Sequence, residues 1–155
     1  MSSEIISVSQ IQNGLREEIR SFIAIDAVPL PESYRPVVEA LWTAAQKIMP
    51  SIRLRKRINV VLAKSPFVLN LSTVGQLTFT PLGDAVHVTV EDMIFIDCEK
   101  MMQYEFPYQV VSVLEEFVHA FMNVTNEELV KHIVCMLYPD FEYSAGQYCL
   151  KQPPS

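Results

Sequence analysis

Two carboxylates and a histidine stand close together in an apolar part of the sequence. Glu115, Glu116 and His119 lie within the mainly hydrophobic run 108–123. Residues three or four positions apart share one face of a helix, so both carboxylates lie one turn from the imidazole. Histidine nitrogen and carboxylate oxygen bind zinc, and a catalytic zinc keeps three protein ligands and one position for water. The spacing therefore indicates a candidate metal site.

A third ligand has to come from another element. The next predicted helix supplies Glu127, Glu128 and His132, and the turn at 124–126 is short enough to fold that helix back antiparallel to the first. Each of these three residues is a candidate for the third ligand.

The same polar residues also have an ordinary interpretation. Ser112, Glu116, His119 and Asn123 follow i, i+4, i+7 and i+11, which is the solvated stripe of an amphipathic helix, and Glu115 lies at its edge. Periodicity alone leaves both interpretations open.

The segment Leu114–Phe121, with the sequence LEEFVHAF, resembles the HExxH helix of zinc metallopeptidases, with Glu115 at the position of the first histidine. The segment from Glu128 to Pro139 is similar to the following helix of minimal zincin domains of the ImmA/IrrE type. The order of elements over 57–139 agrees with such domains as well. The resemblance therefore implies a zincin-like fold with a variant EExxH motif.

The resemblance also implies roles for individual residues. Glu116 would be the general base, His119 and Glu128 would be zinc ligands, and Glu115 would occupy the place of the missing ligand. The implied function is a zinc-dependent peptidase that acts on a protein or peptide. The alternative is a catalytically inactive zincin-fold pseudoenzyme that works by binding another protein.

The elements that would position this site are predicted from hydrophobic periodicity and from turn residues. Residues 4–25 are expected to form one amphipathic helix, and a second helix runs from Pro31 to just before Pro50. Short strands follow at 58–63, 67–71, 76–80, 85–90 and 93–96, then helices over 108–123 and from Thr125 to about Tyr138. This order predicts an α+β fold with a small mixed or antiparallel sheet. Residues 1–155 form one domain, with an N-terminal helix and linker over 1–30 and an irregular tail over 140–155.

Composition narrows the possible functions. Half of the 155 residues are hydrophobic, which predicts a packed core, and the four glycines are too widely spaced for a phosphate-binding loop. The net charge of −6 argues against nucleic acid as a partner. The basic run Arg53–Arg57 could contact phosphates, but it is also typical of a solvated segment leading into a strand.

Cysteine usage and hydropathy predict the compartment. Cys98, Cys135 and Cys149 are an odd number without a CxxC pair, which indicates reduced thiols. No stretch of the sequence is as apolar as a membrane span, and the N-terminus lacks the pattern of a signal peptide. We therefore expect a cytoplasmic protein without a membrane partner.

Overall fold

The fold is a mixture of helices and short strands. The computed structural model describes residues 4–64, 67–71, 75–79, 87–90 and 92–153, the three strand segments between 67 and 90 by backbone alone. The helices are α1 Val8–Gly14, α2 Glu17–Arg20, α3 Arg35–Ile48, α4 Cys98–Met101, α5 Phe106–Met122 and α6 Glu127–Leu137. The strands are β1 Ile5–Ile6, β2 Ile23–Ala27, β3 Leu30–Pro31, β4 Ile58–Ala63, β5 Phe67–Leu71, β6 Gly75–Phe79, β7 His87–Val90, β8 Met93–Asp97, β9 Phe141–Ser144 and β10 Gln147–Leu150. The predicted α+β class is confirmed.

A four-stranded mixed sheet forms the centre, in the order β2-β4-β8-β7. The first three strands are parallel, with Val60 paired to Ile25 on one side and to Ile94 on the other. Strand β7 is antiparallel to β8, so the sheet is mixed. Strands β5 and β6 form a separate hairpin. The predicted strand ends at 80 and at 85–86 lie outside the described residues.

Helices α3 and α5 pack against each other beside this sheet and form the main core. Phe117, Leu41 and Leu62 are fully buried there, contributed by α5, α3 and β4. The burial of such side chains is the largest favourable contribution to folding. No helix in the described part of the chain is both long and apolar enough to cross a lipid bilayer.

The prediction of one helix over residues 4–25 is wrong. Ser7 and Gln10 form a reciprocal capping box that starts α1 at Val8, and the chain becomes extended again at Leu15. Residues 23–27 then form β2. Their side chains alternate between buried and more exposed positions, and the strand pairs in parallel with β4. Within this region, helical spacing and strand alternation follow each other too closely for periodicity to separate them.

The prediction of an irregular tail over 140–155 is also wrong. Strands β9 and β10 form an antiparallel hairpin with Phe141 opposite Leu150. Their two-residue loop, Ala145 and Gly146, has positive φ at both positions (51° and 78°), the conformation that closes tight hairpins. This hairpin packs against α6 and becomes part of the candidate site.

The N-terminal segment is fixed to α3 through one tryptophan. Trp42 donates a hydrogen bond from Nε1 to the carbonyl oxygen of Ile11 at 2.8 Å. Its ring lies so close to Gly14 that a Cβ there would overlap the indole. Glycine is therefore required at position 14 by close packing.

We expect Gly14→Ala to destabilise the protein by about 1–3 kcal/mol, because the added methyl group must displace the Trp42 ring. Chemical denaturation followed by circular dichroism measures this difference. Ser9→Ala, at an exposed position of the same helix, is the control and should change stability by less than about 0.5 kcal/mol. Equal effects of the two substitutions would contradict the packing argument.

Candidate functional site

Three of the predicted site residues, Glu115, Glu116 and His119, lie on the second half of α5, and the fourth, Glu128, lies on α6. Most of α5 is apolar, and its partly exposed polar residues Ser112, Glu115 and His119 lie on one stripe, whereas Gln109 and Glu116 are buried. The helix ends at Asn123, which adopts the left-handed conformation (φ 54°) that commonly terminates helices. The end of α5 therefore redirects the chain sharply and places α6 close to the stripe.

The turn between α5 and α6 is held by one histidine and one cap. The Nδ1 atom of His119 lies 2.7 Å from the carbonyl oxygen of Val124. Asn126 caps α6 by accepting a hydrogen bond from the backbone N–H of Leu129 at 2.9 Å, so the helix begins at Glu127 rather than at the predicted Thr125. Helix α6 packs back against α5, which confirms that the two predicted helices are neighbours.

Glu115 is held by groups from two other elements. Its Oε1 accepts a hydrogen bond from Lys131 Nζ on α6 at 3.0 Å and another from Tyr148 OH on β10 at 2.6 Å. The side chains of Glu115 and Lys131 are only 12% and 23% exposed, so each charge needs a partner. This contact joins α5, α6 and the C-terminal hairpin.

The environment of Glu115 shifts two pKa values. Partial burial opposes the charge of Lys131, but hydrogen bonding to Glu115 and the charges of Glu115 and Glu127 outweigh it and raise the pKa of Lys131. Burial, with the hydrogen bond to Glu115, raises the pKa of the Tyr148 phenol far above its usual value. Lys131 therefore stays charged and Tyr148 stays neutral at physiological pH.

His119 contacts a carboxylate on α6. Its Nε2 lies 3.4 Å from Glu127 Oε1, and the other carboxylate oxygen of Glu127 lies 4.0 Å from Lys131 Nζ. A chain of polar contacts therefore runs between the helices, and in it carboxylates alternate with nitrogen-bearing side chains, in the order Glu115, Lys131, Glu127 and His119. We call these four residues together with Tyr148 the α5–α6 polar cluster.

Glu116, Glu128 and His132 lie outside this cluster. Glu116 is only 5% exposed and belongs to the buried side of α5, despite its place in the predicted stripe. Glu128 is exposed and accepts a hydrogen bond from Tyr143 OH at 3.1 Å. His132 is exposed and stands edge-on to the Tyr143 ring, 5.7 Å between centroids. Glu128 and His132 therefore both contact the β9–β10 hairpin.

These contacts do not match the donor set of a zinc site. Among the described residues, no group of three or more His, Cys, Asp or Glu side chains is placed to hold a metal ion. The Glu115 carboxylate is hydrogen-bonded by the Lys131 ammonium group and the Tyr148 phenol, so a metal ion would have to displace these groups to reach that oxygen. As arranged, these residues do not fit the group that the resemblance implies, and the ligand set Glu115, His119 and Glu128 stays a prediction.

A small cleft of about 230 Å³ opens beside Glu115. It is lined by Tyr104, Tyr108, Val111, Ser112, Glu115 and Tyr148. Sequence reasoning missed Tyr148 because it assigned the tail to irregular structure. The alternation of apolar and polar residues over 141–144, followed by Gly146, is a signal that identifies the hairpin.

No family model matches the chain, and neither a curated protein nor a solved structure matches it.

We expect stability to fall as the pH rises above about 10, partly through Tyr148. Its ordinary pKa is 10.0 and the folded-state pKa is higher, so the unfolded chain loses this proton first, and that deprotonation stabilises the unfolded state relative to the folded state as the pH rises. Below pH 10 the phenol is neutral in both states and contributes no slope. In Tyr148→Phe, the free energy of unfolding should therefore fall less steeply between pH 9 and 11. The slope against pH, measured by urea denaturation, should correspond to up to about one bound proton less than in the unaltered protein.

The matched control is Tyr104→Phe, a phenol on the same cleft that is 45% exposed. Its removal should leave the pH dependence close to that of the unaltered protein. An unchanged slope in Tyr148→Phe would contradict the assignment of the buried phenol.

Proposed function

We propose that this protein is a catalytically inactive member of the zincin-like class that acts by binding another protein. The observation that carries the proposal is the double hydrogen bond to Glu115 from Lys131 and Tyr148. Glu115 stands where the HExxH motif has its first histidine, and its carboxylate is already used to hold three elements together. With Glu115 at this position, its partly buried ion pair with Lys131 holds the junction of the three elements, so no metal is needed to stabilise that junction.

The zincin-like scaffold itself is part of the proposal. It is supported by the mixed sheet that precedes α5, by the EExxH sequence on α5 and by the return of α6 across it. These features match the order of elements that the resemblance implies.

A second candidate is the zinc-dependent peptidase. It is favoured by one contact, the approach of His119 Nε2 to Glu127 Oε1 at 3.4 Å, which places an imidazole beside a carboxylate. To include Glu115, a metal would have to displace Lys131 from its carboxylate. That exchange would cost the Glu115–Lys131 ion pair, which is why the geometry favours the binding function.

The cytoplasm is the compartment that we propose. Cys98, Cys135 and Cys149 are all free thiols in the structure, and Cys98 is buried. Unpaired cysteines are typical of reducing compartments.

The test is metal content and hydrolysis with untagged protein. We expect less than about 0.1 equivalent of zinc after incubation with zinc and dialysis, because a partial donor set binds metal weakly. We also expect no cleavage of fluorescently labelled casein, with equal results for the unaltered protein and for Glu116→Gln. Stoichiometric zinc with hydrolysis that is lost in Glu116→Gln would overturn the binding proposal in favour of the peptidase.

Glu115→His serves as a third sample because it restores the first histidine of the motif. Zinc binding that appears only in this variant would support the zincin-like scaffold while leaving the unaltered protein inactive. Circular dichroism checks that the variant is folded.

A further inference from the structure

A second and larger cleft lies at the C-terminal end of α5. Its volume is about 450 Å³. One wall is the segment between α3 and β4, and the other is the end of α5. The lining residues are Ser51, Ile52, Arg53, Arg55, Lys56, Phe121, Met122 and Asn123.

Two of the three cations in this cleft are available to a ligand. Arg53 and Arg55 are exposed, and neither has an ion pair or a hydrogen bond within the part of the chain that the structure describes. An arginine guanidinium is planar, remains charged and presents paired N–H donors that fit a carboxylate. The cleft therefore offers two unoccupied sites for anionic oxygen atoms.

The third cation has a structural role. Lys56 Nζ contacts Asp92 Oδ1 at 2.9 Å and Asn123 Oδ1 at 3.1 Å. Lys56 thereby connects the 51–57 segment to the end of α5 and to the residue before β8. The two walls of the cleft are held together independently of any ligand.

The cleft also has an apolar side. Ile52, Phe121 and Met122 line it and are all half-buried, so each retains some surface accessible to a ligand. A ligand that fills the cleft would cover both this apolar surface and the guanidinium groups. The matching chemistry is a carboxylate next to an apolar side chain.

An acidic peptide fits these features better than a nucleic acid. The whole chain carries a net charge of −6, which opposes a polyanion with closely spaced phosphates more than it opposes a peptide with a few carboxylates. The apolar part of the cleft would gain from leucine or phenylalanine side chains and gains nothing from a phosphate backbone. Charges farther away than about 8 Å are largely screened at physiological salt, so Arg53 and Arg55 dominate locally.

We propose that the cleft formed by residues 51–56 and 121–123 binds an acidic, apolar peptide segment of a partner protein, with Arg53 and Arg55 contacting its carboxylates and Phe121 and Met122 its apolar side chains. The inference rests on the proposed binding function and specifies the chemistry of the partner. It also assigns the basic run a role distinct from both phosphate contact and simple solvation.

The experiment is a titration of the full chain, labelled with ¹⁵N, with a synthetic peptide of three Glu-Leu-Glu-Phe repeats. We expect saturable shifts of the backbone amide signals of 51–56 and 121–123. Arg53→Ala with Arg55→Ala should weaken binding by about tenfold or more, because each lost charge-assisted hydrogen bond is worth about that factor. Arg57→Ala, exposed in the same segment and outside the cleft, should change the affinity by less than about twofold.

Two further probes separate the alternatives. A peptide of Glu-Ser-Glu-Gly repeats has the same charges without apolar side chains and should bind at least about tenfold more weakly, since it cannot cover the apolar surface. A single-stranded oligonucleotide should also bind more weakly than the acidic, apolar peptide. The inference is overturned if the first peptide shows no saturable binding, if Arg57→Ala weakens it as much as the double variant, or if the oligonucleotide binds more tightly at the same residues.

Failure of this inference can be distinguished from failure of the proposed function. Absence of peptide binding together with absence of zinc and hydrolysis would remove the cleft assignment alone. Mass spectrometry of the peptide after the titration detects cleavage, and zinc-dependent cleavage would instead overturn the binding function.

Discussion

Covering helix α5 is the constraint on which the rest of this structure depends. The helix is apolar around most of its circumference, so the sheet and α3 must cover one side of it while α6 and the C-terminal hairpin cover what remains. Covering the second side also encloses polar groups. Each enclosed charge then requires a partner, because an unpaired charge in a dry environment costs far more than the packing around it contributes.

The α5–α6 polar cluster meets that requirement. Lys131 pairs with the charge of Glu115, and Tyr148 donates a second hydrogen bond to the same carboxylate oxygen. His119 uses one nitrogen to hold the interhelical turn and directs the other towards Glu127. Within the described residues, the side chains Glu115 and His119 of the EExxH sequence are therefore involved in joining secondary-structure elements.

The sequence predicts those parts of the fold in which one periodicity dominates. Helix α5 and strand β4 are recognised because their apolar residues follow a single pattern over enough residues. The prediction of one helix over residues 4–25 fails because a capping box at Ser7 starts a short helix, and the apolar spacing of that helix runs directly into that of β2. The hairpin at 141–150 is not predicted because its loop contains Ala145, and alanine rarely adopts positive φ. At the site, the spacing predicts that Glu115 and His119 share a face of α5. It does not predict their partners, because Tyr148 reaches Glu115 only through the missed hairpin and Lys131 only through the packing angle of α6.

The central claim is that Glu115 stabilises the junction of α5 and α6 through Lys131, and a double-mutant cycle tests it most directly. The variants are Glu115→Gln, Lys131→Met and the combination, each unfolded with urea at neutral pH. We expect a coupling energy of at least about 1 kcal/mol between the two positions, because the pair is partly buried and hydrogen-bonded. Additive effects of the two substitutions, within about 0.3 kcal/mol, would contradict it.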